Sequence, residues 1–300
     1  MTIQEALTEG KRLLALPCPS AFIDTPELDA SLLLSEALHK SREGLIVNGN
    51  EAIAEPLLGG YFVLLERRRS GECIAYILGR REFCGLKFTV NSSVLVPRPD
   101  TEILFEAALE NIDVIAQQVE SKIISVLDLC TGSGALAISL KKERPQLNIT
   151  ASDISAEALE TAKLNAANLL DHGHDIYFIL SDLFEEITGK FDIIISNPPY
   201  IPSCEMEALS PEVRREPALA LDGGIDGLDL IRRIITQAKV HLHSNGALLF
   251  EASPGQMPEI RALLEKQNFS GIRIRRDLGG RDRVICAIIN HGFLQDTWNN

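Results

Sequence analysis

The sequence predicts a doubly wound α/β domain with a mostly parallel sheet, preceded by a small helical domain. Three observations carry that prediction. From residue 123 onward, short β-branched runs alternate with helical stretches; a glycine-rich turn joins the first run to the first helix; and residues 1–80 read as helices. Such alternation puts helices on both faces of a parallel sheet, with right-handed crossovers.

In chain order, Leu28, Leu32, Leu33 and Leu38 recur at near-helical spacing after Pro26, which suits a first helical turn. Leu57 to Arg69 repeats the pattern, interrupted by Gly59-Gly60. Residues 83–96 carry strand-like spells at 86–90 and 94–96 around Asn91-Ser92-Ser93, the pattern of a hairpin. In Pro97-Arg98-Pro99-Asp100-Thr101-Glu102, Asp100 or Thr101 is placed to cap a helix running to about Gln118. Strands are expected at 123–127, 148–152, 176–180, 191–195 and 247–250, and helices at 135–142, 156–170, 228–240 and 258–267. The runs 272–275 and 284–289 read as a terminal antiparallel hairpin. The chain thus divides into a helical domain (1–80), a β-hairpin linker (81–100), an α/β domain (101–290) and a loose tail (291–300).

Net charge is −13 and the pI about 5.0, which argues against a broad phosphate-binding surface and stable nucleic-acid binding and leaves room only for a narrow basic patch, as around Arg67-Arg68-Arg69 and Arg80-Arg81. A hydrophobic content of 45% and mean hydropathy of +0.07 support a well-buried core, and 5% aromatics make that core aliphatic. Six cysteines stand without any Cys-x-x-Cys pair, which fits reduced thiols in the cytoplasm better than disulfides or zinc. No signal-peptide core or membrane-spanning run is present, so no membrane association is expected. The pairs His172/His174 and His241/His243 have His-x-His spacing but bring no further ligands, and no metal is expected. Arg67-Arg68-Arg69 reads as a solvated helix end.

The most telling stretch is Ser196-Asn197-Pro198-Pro199-Tyr200, directly after the apolar run 191–195. Two prolines lock φ and remove two N–H donors, leaving carbonyls as acceptors. Asn197 adds a side-chain carbonyl and Tyr200 a flat face. Together they suit a planar –NH2 group, a poor nucleophile that is activated by positioning rather than by a strong base.

Asp128-Leu129-Cys130-Thr131-Gly132-Ser133-Gly134 lies between the first strand and its helix, where glycines and a helix N-terminus admit a ligand. Asp153, ending the next strand, is placed to accept both hydroxyls of a ribose. This loop alone fits NAD as well as S-adenosylmethionine. Two features favour S-adenosylmethionine. Asp128 at the strand tip meets a ligand ammonium, directly or through water, and NAD has none. Asp182 accepts from an adenine amine while the Leu183 N–H donates to the ring, and the acceptor rack at 197–200 follows. All four features fall at the ends of consecutive strands, where open α/β sheets bind ligands.

On these residues the chain resembles the bacterial HemK/PrmC family, S-adenosylmethionine-dependent glutamine-N5 methyltransferases of peptide chain release factors. Arg98-Pro-Asp-Thr-Glu102, Asp128 to Gly134, Asp153 and Asn197-Pro-Pro-Tyr200 match the family's segments. So do Glu216 to Gly224, Asp226-Gly-Leu228 and Asp277 to Arg283. The resemblance implies a class I methyltransferase domain behind a helical substrate-recognition domain. It also implies a monomeric cytoplasmic enzyme whose substrate is the glutamine of the release factor's Gly-Gly-Gln loop and whose product is S-adenosylhomocysteine. Asn197, Pro198 and Tyr200 are then the catalytic group, with Pro199 among the substrate contacts. Asp128, Cys130, Thr131, Gly132, Ser133, Gly134, Asp153, Asp182, Leu183 and Asn197 hold the cofactor. Under the resemblance Arg67–Arg69 gains a second role against an acidic partner surface, and Arg98 with Glu102 a role as lid. Two departures stand out. Cys130 replaces a common Gly, which demands a negative φ, and Glu251 to Gln256 is less Gly-rich than usual, which leaves its loop geometry open. Rival readings are a ribosomal-protein glutamine methyltransferase, an N6-adenine or N2-guanine nucleic-acid methyltransferase, opposed by the acidic charge, and a non-catalytic cofactor-binding adaptor, opposed by the intact Asn197 and Asp153.

Overall fold

The computed structural model describes residues 1–18, 23–118, 123–171 and 175–289. Two compact units emerge: Met1–Arg80 with Glu207–Glu216, and Arg81–Met206 with residues 217 onward. The expected tail and the pair His172/His174 lie outside the described residues.

The first unit holds α1 (Ile3–Ala15), α2 (Pro26–Leu38), α3 (Arg42–Val47), α4 (Glu55–Arg69) and α5 (Ile74–Leu78). A reciprocal capping box starts α1: Thr2 Oγ1 accepts from the Glu5 N–H at 3.2 Å, and Glu5 Oε2 from the Thr2 N–H at 2.8 Å. Ile3, Leu14, Leu33, Leu34, Tyr61 and Leu65 form its core. The arginine triplet ending α4 is not simply solvated. Arg68 is buried, with Nε on Asp29 and a terminal nitrogen on Glu212, each at 2.6 Å. Arg67 pairs with Glu72 at 2.5 Å and Arg69 with Glu66 at 3.5 Å, so these charges are spent inside the unit.

A hairpin follows at the boundary, β1 (Arg80–Phe83) and β2 (Leu86–Thr89), all but Arg80 in the second unit. The strand expected at 86–90 is β2, but its partner is corrected: it pairs with β1 rather than with 94–96. The turn is Cys84-Gly85, both at positive φ (48° and 72°), the geometry that suits a two-residue hairpin turn. Asn91 instead turns on itself, its Oδ1 accepting from the Ser93 N–H at 2.8 Å. The main sheet contains β3 (Ser125–Leu129), β4 (Asn148–Asp153), β5 (Ile176–Leu180), β6 (Phe191–Ser196), β7 (Leu242–Glu251), β8 (Phe269–Arg276) and β9 (Asp282–Ile289). Its order is β5-β4-β3-β6-β7-β9-β8, parallel through β7, with β9 antiparallel to both neighbours. The helices are α6 (Glu102–Gln118), α7 (Ala135–Glu143), α8 (Ala156–Leu169), α9 (Asp229–His241) and α10 (Met257–Lys266).

Alternate strand residues feed two cores. Val126, Ile193 and Leu249 pack with α6 and α7, whereas Leu127, Ile194 and Leu248 pack with α9 and α10. From β3 the chain winds outward to β5, then returns to lay β6 on the other side of β3. That reversal opens a crevice at the carboxyl ends of β3 and β6, where Cys130 and Asn197 begin their loops. Among the described residues no helix is long and apolar enough to cross a membrane.

Candidate functional site

The crevice is a cavity of about 270 Å³. Cys130 to Ser133, Asp153, Asp182, Leu183, Asn197 and Pro199 line it, together with Arg98 and Thr101. Of the residues expected at the site, Asp128, Gly134, Pro198 and Tyr200 are not among its lining residues.

Asp128 belongs to β3, paired with Ala151 and Ile195 on either side, and is not at the strand's tip. It is fully buried, and burial lifts its carboxyl to about 7 against the pull of Thr131, whose hydroxyl donates to Oδ2 at 2.6 Å. Oδ1 is buried with no hydrogen-bond partner. Cys130 follows at φ 58°, in the left-handed region, which corrects the expected negative φ. The loop needs glycine-like geometry whatever the residue, and the thiol accepts the strain. Burial pushes that thiol's pKa far up, with Asp153 adding to the effect, so it is no nucleophile. Asp153 Oδ2 accepts the Gly132 N–H at 2.8 Å and Oδ1 the Ser155 N–H at 2.9 Å. It thus holds the glycine loop while facing the cavity. Burial raises its pKa, and those backbone bonds oppose the rise. Asp182, the expected adenine acceptor, carries an ion pair to Arg233 on α9 at 2.9 Å.

The acceptor rack is tied down through four side chains. Asn197 Nδ2 donates to Thr101 Oγ1 at 3.1 Å, Thr101 Oγ1 donates to Glu251 Oε2 at 2.7 Å, and Tyr200 OH donates to Glu251 Oε1 at 2.8 Å. Thr101 therefore does not cap α6 as expected, and Asp100 turns to Arg283 at 3.0 Å. Glu102 accepts the Cys84 N–H at 2.9 Å, which makes it a hairpin anchor rather than a lid. Beneath Tyr200, Gln256 Nε2 donates to the Tyr200 carbonyl at 2.9 Å. Gly223 and Gly227 press on the same loop: a Cβ at Gly227 would fall 2.2 Å from the Tyr200 carbonyl oxygen, and one at Gly223 2.8 Å from that of Pro199.

Residues 5–79 match the family described as PrmC N-terminal domain, and residues 110–209 match the Methyltransferase small domain. Over 287 residues the chain is 37% identical to a release factor glutamine methyltransferase of Deinococcus radiodurans, covering 96% of this chain and 98% of that one. A protein of the same name from Neisseria gonorrhoeae is 40% identical, covering 86% and 92%. The chain belongs to the release factor glutamine methyltransferase family. At 16% identity, the hMettl16 catalytic domain, solved in complex with MAT2A 3'UTR hairpin 6, superposes with a TM-score of 0.52 over 77% of this chain and 82% of that one, a likeness of fold alone.

For this family the cavity suits a cofactor with a cationic amino-acid end and a ribose. The unpartnered Oδ1 of Asp128 lacks a donor, and Asp153 keeps lone pairs toward the open side. Among the described residues no three His, Cys, Asp or Glu side chains converge as metal ligands. His241 instead stacks on Phe184 at 4.7 Å. Thr101, Arg233 and Glu251 were not assigned these roles from the sequence. The strand-end rule that pointed to Asn197 also points to Glu251, which ends the neighbouring strand β7.

Proposed function

We propose that this protein transfers the methyl group of S-adenosylmethionine to the side-chain amide nitrogen of the glutamine in the Gly-Gly-Gln motif of peptide chain release factors, leaving S-adenosylhomocysteine. The observation that carries this reading is the polarity of Asn197. With Nδ2 committed to Thr101, its side-chain oxygen is the acceptor left at the cavity. A primary amide brings two N–H donors on a planar nitrogen. Asn197 Oδ1 takes one and the Pro198 carbonyl the other, with no N–H from Pro199 to compete. Bound S-adenosylmethionine would supply an electrophilic methyl group on a cationic sulfonium; as the N–C bond forms the S–C bond breaks, and one of the two amide protons is released to solvent. The protein's part is orientation: Asp128, buried off the cavity lining, would meet the ligand ammonium through water, Asp153 would hold the ribose hydroxyls, and Asn197 with Pro198 aligns the amide nitrogen. Alignment of this kind contributes roughly 7–11 kcal/mol when near-attack geometry is reached.

The names of the relatives support the release factor as substrate. In this reading residues 1–80 hold the body of that folded protein. Their eleven acids against eight bases suit a protein partner rather than phosphates. The enzyme works as a monomer in the cytoplasm, in keeping with six unpaired thiols. Labelled cofactor offered with separate release-factor, ribosomal-protein and DNA substrates tests the reading. We expect label in the Gly-Gly-Gln peptide of the release factor; label only on ribosomal protein or DNA overturns it.

A further inference from the structure

We propose that Glu251 and Thr101 are positioning residues that fix which end of the Asn197 amide meets the substrate, and so make the site choose a primary amide over a carboxylate. This rests on the role of Asn197 given above.

Glu251 is 1% exposed at the end of β7, and as a carboxylate it only accepts. It takes the hydroxyl hydrogens of Thr101 and Tyr200. A threonine hydroxyl has one hydrogen, so once that points to Glu251 only lone pairs remain toward Asn197. The contact at 3.1 Å must then be Nδ2, and Oδ1 is turned to the other side. A flipped amide would set two acceptors against each other. Burial raises the Glu251 pKa above its ordinary value, with Asp100 adding to the rise, while the hydrogen bonds from Thr101 and Tyr200 and the charge of Arg283 oppose it and support the carboxylate. Arg283 also grips Asp100, next to Thr101, which holds that hydroxyl in register. The result is a face of acceptors. A glutamine side chain satisfies it with N–H donors, whereas an ionised glutamate meets it with oxygen lone pairs only.

The test compares Thr101→Val, which keeps the shape and removes the hydroxyl, with Thr101→Ser, which keeps the hydroxyl. We expect Thr101→Ser to stay within about threefold of the parent and Thr101→Val to lose at least ~30-fold in kcat, the KM for S-adenosylmethionine and the calorimetric affinity for S-adenosylhomocysteine holding within about twofold. In an Asn197→Ala background, Thr101→Val should bring less than about threefold further loss, because the two act as one unit. A release factor carrying Gly-Gly-Glu should compete poorly against the parent enzyme and at least ~10-fold better against Thr101→Val, now free to flip its Asn197 amide. Should Thr101→Val lose cofactor binding, Thr101→Ala takes its place with the same expectations. Equal activity of the valine and serine variants, or additive losses with Asn197→Ala, overturns the proposal. Full activity of Asn197→Ala alone would instead overturn the reading of Asn197 on which it rests.

Discussion

Gly227→Ala is the sharpest structural test of how the acceptor loop is held. Gly227 sits at φ 77°, where an L-residue costs about 1–2 kcal/mol. The new Cβ would lie 2.2 Å from the Tyr200 carbonyl oxygen and 2.5 Å from Gln256 Nε2. Both positions are impossible, and the first obstacle is backbone. The loop must move, and the Gln256 bond to that carbonyl breaks, a further loss of about 0.5–1.5 kcal/mol. Reduced freedom of the unfolded chain returns about 0.4–1 kcal/mol. The net destabilisation is about 0.5–3 kcal/mol, which lowers Tm by roughly 1–12 °C in a unit of this size. Because Tyr200 and Pro199 carry the displacement, kcat should fall about a hundredfold, the penalty of roughly 1 Å of misplacement. Thermal melting, steady-state kinetics and S-adenosylhomocysteine calorimetry measure the three quantities. A variant that melts within about 1 °C of the parent and turns over within about threefold of it refutes the reasoning.

Further outcomes follow from the same site. Asn197→Ala should lower kcat by about a hundredfold or more with cofactor affinity nearly intact, as read by single-turnover kinetics and calorimetry. Asp153→Ala should weaken S-adenosylhomocysteine binding by about 1.5–3 kcal/mol, since the loss includes the Gly132 anchor; a change within calorimetric error would remove Asp153 from the site. Asp128 gives a pH dependence with a definite sign. Its folded pKa of about 7 lies above the unfolded value of 3.8, so its charged form weakens the apo fold increasingly as pH rises from about 4 to 7. A ligand ammonium needs the carboxylate, so affinity should fall by up to about tenfold per pH unit below pH 7, with proton release visible in buffers of different ionisation enthalpy. Asp128→Asn should flatten that dependence; an unchanged profile would assign the proton elsewhere.

The sheet was legible because β-branched runs and strand-end acids are local signals, and β4 to β6 fall within a residue of expectation. Hairpin and loop geometry were less so. Nothing in Cys84 or Cys130 announces a positive φ, since the shape is imposed by the surrounding backbone rather than by side-chain preference. Asp128 read as a tip residue because strand ends slide by a residue or two in sequence, and one step changed it from exposed to buried. Thr101, Asn197, Glu251 and Tyr200 are joined by hydrogen bonds spanning up to 150 positions, and no spacing rule reaches that far.

The pairing of Arg68 with both Asp29 and Glu212 bears on how the chain is made. Asp29 leaves the ribosome before Arg68 does, but Glu212 follows it by about 140 residues, roughly 7–30 s at ordinary elongation rates. Through that interval the helical bundle carries a guanidinium that has only one of its two carboxylates, beside a surface still waiting for residues 207–216. Its closure is therefore a late event, set by the second half of the message rather than the first. A gene cut after codon 80 inherits the same problem in permanent form. The amino-terminal piece lacks the segment that finishes it, and the remainder carries ten residues with nothing to pack on.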